Sequence, residues 1–218
     1  MAWFRNTESR RDLIKRMKHF KVDPKLRATS LYNNVMYAVA GEAAANVAGM
    51  PYEQLIETKV LQPLGLSSSG FSQTEMGKRS NHASRYDARS LEDAVKGEYI
   101  KADLERIYMA DGPSGDMFSS VLDLVKWGQV LIKMGELDGK QVLSKESVEE
   151  MLTGHSIKIR KRRTSEFPPV VGYGLGINLD SYKGRILYRH GKDYHFYGHS
   201  FKYMTPVFMS ALNDFYYL

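Results

Sequence analysis

Tyr32-Asn33-Asn34 sets a phenol and a carboxamide two residues apart, ahead of an apolar-periodic run. A phenol takes part in proton transfer only where its surroundings lower a pKa that is about 10 unperturbed. The usual device is a neighbouring ammonium, which favours the phenolate. Read alone, Tyr32 is a buried aromatic before a helix and Asn34 a helix cap or turn residue. His190-Gly191 closes a run with strand character and, by itself, is an exposed strand-end histidine. His195 and His199, spaced i, i+4 with Asp193 nearby, resemble part of a metal cluster but lack a fourth ligand. No metal and no cofactor is expected. Gly172-x-Gly174-x-Gly176 lies inside an alternating strand, not at a strand-to-helix turn, so it is no dinucleotide fingerprint. Ser67–Ser69 has no base partner at a recognisable spacing and reads as loop.

The elements that must hold these residues are helical in the first half. Leu13, Ile14, Met17 and Phe20 fall at helical spacing behind the cap candidates Asn6, Thr7 and Ser9. Met36, Val39, Ala40, Ala43, Ala44 and Val47 make a second apolar face, stopped by Gly49 and Pro51. A third helix starts near Tyr52 and breaks at Pro63-Leu64-Gly65. Residues 66–112 show little periodicity, and Pro113-Ser114-Gly115 reads as a turn. Ser120 and Asp123 resemble a capping box for a helix with Leu122, Val125, Leu131 and Met134 on one face. A short helix from Ser144 to Gly154 follows the Asp138-Gly139 turn.

Tyr173, Leu175, Ile177 and Leu179 then alternate as a half-buried strand does. A turn at Ser181–Gly184 returns into Arg185–His190, giving a β-hairpin over 172–190, with Val207–Met209 a candidate third strand. Helices first and an antiparallel hairpin last make an α+β arrangement.

Composition bounds the function. A hydrophobic fraction of 43% and a charged fraction of 26% are globular values and argue against wholesale disorder. With no cysteine, disulfides, thiolate metal sites and a cysteine nucleophile are excluded. Residues 1–16 interleave basic and acidic side chains without an apolar core, so no Sec-type signal is expected on this chain. No stretch approaches the roughly 18 apolar residues of a membrane span, which leaves a soluble, cytoplasmic chain as the default. The net charge of +6 gathers partly at Lys158, Arg160, Lys161, Arg162 and Arg163. That run reads as a solvated loop between a helix and a strand, and nucleic-acid binding is not expected, because no aromatic stacking platform accompanies it.

Four ordered stretches carry a family resemblance: Tyr32-Asn33-Asn34-Val35-Met36-Tyr37 with Ala40-Gly41-Glu42; Ala48–Tyr52 with Leu61–Leu66; Pro113–Gly115 with Ser119, Ser120, Asp123 and Leu143–Leu152; and Tyr173–Gly176 leading to His190-Gly191. Together they resemble the serine β-lactamase/penicillin-binding-protein-like family, nearest its class C, carboxypeptidase and esterase branch, over residues 5–192. The resemblance implies a partial β-lactamase/transpeptidase-like fold over 1–193, with 194–218 a divergent segment. It also implies acyl transfer on a small-molecule or peptide amide or ester through an acyl-enzyme. Tyr32 would relay the serine's proton, Asn34 would orient the substrate amide, and the strand ending at His190-Gly191 would pair with substrate and donate to the oxyanion.

Two departures qualify that reading. Lys192 stands where a glycine is expected after His190-Gly191. More seriously, no serine in the 218 residues is followed by a lysine three positions on, so the Ser-x-x-Lys nucleophile is absent. In the family that motif lies tens of residues before Tyr-x-Asn, so the expectation is an N-terminally truncated member, inactive alone. Loss of a nucleophile can cost about six orders of magnitude in turnover. A non-catalytic binding module using the same cleft is the alternative. Oligomeric state is not legible.

Overall fold

The computed structural model describes residues 9–21, 31–84, 86–101, 112–159, 170–182, 185–190 and 207–210. The chain divides into two units: among the described residues, the first holds 9–21 and those of 33–123, the second 31–32 and those of 124–210. The division between Asp123 and Leu124 falls inside a helix, so no linker composition marks it in the sequence. The expected boundary after residue 193 lies outside the described residues.

In the first unit, α1 (Arg10–Arg16) is capped by Ser9, whose Oγ accepts from the Asp12 N–H at 3.2 Å and donates to the Asp12 carboxylate at 2.6 Å. A 3-10 turn (Met17–His19) extends it. Leu13 packs with Val35 and Ala38 of α2 (Asn34–Ala48), and Met17 covers the cluster. Gly49, at φ 68°, closes α2 in the left-handed conformation that a glycine adopts without steric cost. Then come α3 (Tyr52–Ile56) and one π-helical turn (Glu57–Leu61), which sends Leu61 and Leu64 into the interior. The Arg10 guanidinium lies 5.4 Å from the Tyr52 ring centroid and pairs with Glu53.

The weakly patterned stretch after residue 66 resolves into short pieces. They are β1 (Gly70–Phe71), α4 (Gln73–Gly77), β2 (Tyr86–Asp87), α5 (Leu91–Lys96) and β3 (Ile100–Lys101). The expected turn at Pro113 is instead one helical turn, α6 (Gly112–Gly115), with proline at a helix start where its missing N–H costs nothing. It packs against α2 at Gly41, where any Cβ would overlap the Pro113 ring. β4 (Met117–Phe118) then pairs antiparallel with β1.

The helix α7 (Val121–Ile132) forms as expected, but with a different buried face. Leu122 and Val125 are 75% and 54% exposed, whereas Val130 and Leu131 are buried. Positions 122 and 131 are nine residues apart, about 180° around a helix at 3.6 residues per turn, so they cannot share a face. The true stripe is Trp127, Val130, Leu131 and Met134. Its members Trp127, Leu131 and Met134 pack, in the second unit, with Val148 and Met151 of α8 (Lys145–Leu152), which Ser144 caps. Between the two helices, β5 (Glu136–Leu137) and β6 (Lys140–Gln141) form a hairpin on Asp138-Gly139, both at positive φ as that tight turn requires.

The sheet of the second unit is larger than the sequence indicated: five antiparallel strands in the order β11-β10-β9-β8-β7. They are β7 (Ser156–Ile159), β8 (Val170–Tyr173), β9 (Asn178–Tyr182), β10 (Arg185–His190) and β11 (Val207–Ser210). The expected hairpin into 185–190 is present as β9–β10. Its first arm, however, is two strands. The alternation through Leu175 crosses a tight turn in which the Gly174 N–H donates to the Ile177 carbonyl at 2.8 Å and Gly176 sits at φ 84°. Leu175 is consequently 54% exposed while Ile177 is buried. Lys158, read as loop, lies within β7; residues 160–163 are outside the described set.

Candidate active site

Local hydrogen bonding fixes the Asn33-Asn34 part of the landmark. Asn33, in extended conformation, caps α2 by accepting from the Val35 N–H at 2.9 Å on its Oδ1. The cap is therefore Asn33 and not Asn34, whose half-buried carboxamide begins the helix proper. Val35, 1% exposed, drives this first turn into the α1–α2 core. Tyr32 precedes the cap and is 58% exposed, so it is no buried aromatic.

The other landmark rests on cross-strand contacts within the second unit. Arg189 of β10 reaches diagonally to Asp180 of β9, its Nε and Nη2 donating to Asp180 Oδ2 at 2.9 and 2.7 Å. The Arg189 and Asp180 side chains are only 8% and 0% exposed. Asn178 Nδ2 donates to the Arg189 carbonyl at 3.4 Å. His190 Nδ1 bonds the Gly176 carbonyl at 2.6 Å, and the imidazole is exposed. Every second residue of 176–180 thus holds Arg189 or His190. β10 also has a neighbour on each edge, with His190 paired to Val207 of β11. Gly191, the second residue of the expected motif, and Lys192 lie outside the described residues, as do Asp193, His195 and His199.

Neither Asp180 nor the Ser69 cluster was legible beforehand. Ser69, 7% exposed, donates to Asp123 Oδ2 at 2.8 Å and lies 2.7 Å from Ser119 Oγ, while the Ser68 N–H donates to the same carboxylate oxygen at 2.8 Å. Asp123 thus spends its side chain on the 68–69 loop, and only half of the expected capping box forms: its own N–H donates to Ser120 Oγ at 3.2 Å. With a carboxylate and a hydroxyl as its partners among the described residues, Ser69 is a structural tie. Among the described residues, no three His, Asp or Glu gather as a metal ion would require. No described helix is long and apolar enough to cross a membrane.

Helices on both sides of a Tyr-x-Asn element, followed by an antiparallel sheet, agree with the family resemblance of the sequence. The Beta-lactamase family model matches residues 2–206, and the chain belongs to that family. PbpX of Bacillus subtilis (strain 168), a candidate penicillin-binding protein, is 34% identical over 122 residues, 56% of this chain and 28% of PbpX. The octameric penicillin-binding protein homologue from Pyrococcus abyssi superposes with a TM-score of 0.65 at 28% identity, covering 84% of this chain and 38% of its own. The D-stereospecific amidohydrolase from Streptomyces sp. shares the fold, with a TM-score of 0.65 at 23% identity over 89% of this chain and 52% of its own. The chain spans 28% to 39% of the length of the curated relatives it matches. Its kinship is with the family's serine hydrolases.

Proposed function

We propose that the chain is a member of the acyl-transfer family for amide or ester substrates, carrying its Tyr-x-Asn element at Tyr32–Asn34 and, separately, its strand end at His190, and that it performs no turnover by itself. The observation that carries this reading is the exposed Tyr32 phenol directly before the Asn33 cap, inside a Beta-lactamase match over residues 2–206. Tyr32 presents the hydroxyl that would relay a proton, and Asn34 presents the amide that would orient the substrate. The names of its structural relatives, a penicillin-binding protein homologue and a D-stereospecific amidohydrolase, fit an amide substrate.

No serine here has a lysine one helical turn on, so nothing in the 218 residues activates a nucleophile as the family does. The same absence favours a second reading, a binding module that holds acyl compounds without acylation. A fluorescent penicillin and a fluorophosphonate probe test both readings. The purified chain is expected to remain unlabelled and to leave a chromogenic β-lactam intact. Serine-dependent labelling with turnover would overturn the proposal of inactivity. Saturable, reversible penicillin binding that Asn34→Ala abolishes would select the binding module.

A further inference from the structure

We infer that the cavity between α1, the end of α2 and the start of α3 binds a free α-amino acid with an apolar side chain, held as its zwitterion. The cavity measures about 450 Å³, inside the span of roughly 300–1,000 Å³ usual for small-molecule sites. It belongs to the first unit and is independent of the acyl-transfer reading. Asn46, on its wall, follows Asn34 by twelve residues, about 18 Å along the α2 axis.

The lining carries two cations and two anions. Arg10 pairs with Glu53, and Arg11 donates through Nε to Glu42 at 2.6 Å and through Nη2 to Asn46 Oδ1 at 3.3 Å. Each arginine meets its glutamate at one oxygen, Oε1, so the second oxygen of either carboxylate can accept from a further donor. A lone anion entering here would face two carboxylates, and a lone cation two guanidiniums. A molecule that carries a carboxylate and an ammonium together gives each lining charge its opposite and leaves none stranded. Ala45, Met50 and Pro51 add an apolar wall that suits an aliphatic side chain.

The floor of the cavity is fixed and its rim can move. The Arg10 side chain is only 11% exposed, with its guanidinium 5.4 Å from the Tyr52 ring centroid, and Phe71 meets that ring edge-on at 5.8 Å. Behind them, a Cβ at Gly112 would come within 2.9 Å of both Arg10 Nη2 and Glu53 Oε1, so a side chain there would press on the ion pair. Arg11, by contrast, is 70% exposed. It can turn from Glu42 toward an incoming carboxylate at little cost, because an exposed ion pair contributes little. The ligand carboxylate therefore goes to Arg11 and its ammonium to Glu42. Gly49 closes α2 at the same cavity, and the negative end of the helix dipole there favours the ammonium.

L-Leucine in neutral solution tests the inference against two analogues of similar shape: isoamylamine, which keeps the cation alone, and isocaproate, which keeps the anion alone. Titrations of the full 15N-labelled chain, followed in 1H–15N spectra, read affinity and location together. Leucine is expected to saturate, with shifts at Arg11, Asn46 and Met50 and none at Tyr32 or Asn34. Each analogue should bind at least about ten-fold more weakly. Arg11→Gln and Glu42→Gln should each weaken leucine about ten-fold, and an unchanged thermal midpoint for Arg11→Gln shows that the fold is intact. An amine or an acid that binds as tightly as leucine overturns the zwitterion assignment. Leucine that fails to saturate, that shifts only Tyr32 and Asn34, or that neither variant weakens overturns the site.

Discussion

The two landmarks are built in opposite ways. Asn34 is set by the Asn33 cap, which closes on the Val35 N–H two residues on, with Val35 burying the same helical turn against Leu13. Arg189 and His190 are set by residues nine and fourteen positions away, through strand register and a turn carbonyl. A locally closed site depends on one cap, whereas a register-built site depends on every pair of the ladder between β9 and β10. The first should tolerate distant change and the second should not.

The largest effect tests that contrast at its weakest joint. Arg189→Met leaves the Asp180 carboxylate buried without its cation and should cost about 3–5 kcal/mol, read as a fall in the urea midpoint. Adding Asp180→Leu should recover most of the loss, because an apolar pair of similar volume removes the stranded charge. If the single variant unfolds no more easily than the parent, the register-built description is wrong. Next, Asp123→Ala strands the Ser68 N–H, leaves the Ser69 hydroxyl with Ser119 alone, and should cost about 1–3 kcal/mol.

The cap separates the two asparagines. Asn33→Ala should cost about 1 kcal/mol of stability. Asn34→Ala should stay within about 0.5 kcal/mol and, where the chain binds penicillin reversibly, remove that binding. Equal stability losses at both positions would erase the distinction between cap and site. The smallest expected effect is alkaline. Burial foremost pushes the Tyr52 phenol up, Glu53 adding to the shift and Arg10 opposing it. A raised folded pKa means stability present below the unfolded value of about 10 and lost as pH rises through the folded one. Tyr52→Phe should flatten that alkaline decline in a thermal-melt series.

The same contrast explains what could be read in advance. Ser9, Gly49, Ser144 and Asp138-Gly139 act within a few residues of themselves, and helix starts, stops and the tight turn were legible from them. The α7 face was misread because Leu122 and Leu131 match by residue type but oppose each other by angle. The run from Tyr173 to Leu179 hid a turn, because alternation counts residue types and Gly176 supplies only a dihedral angle. Asp180 and Ser69 gave no local signal. Their partners, Arg189 and Asp123, come from other elements, and only register or tertiary packing brings them together. Gly191 fell outside the described residues, so the histidine motif is placed only as far as His190.

The close seat of Gly41 on Pro113 acts as a rotational stop for α2. Gly41 follows Asn34 by seven residues, nearly two full turns at 3.6 residues each, so both positions point to almost the same compass bearing around the helix axis. A helix free to roll would carry Asn34 around with it. The proline ring lodged in the notch sets that bearing from two turns away, so a methyl group added at Gly41 would act on the site as a change of aim.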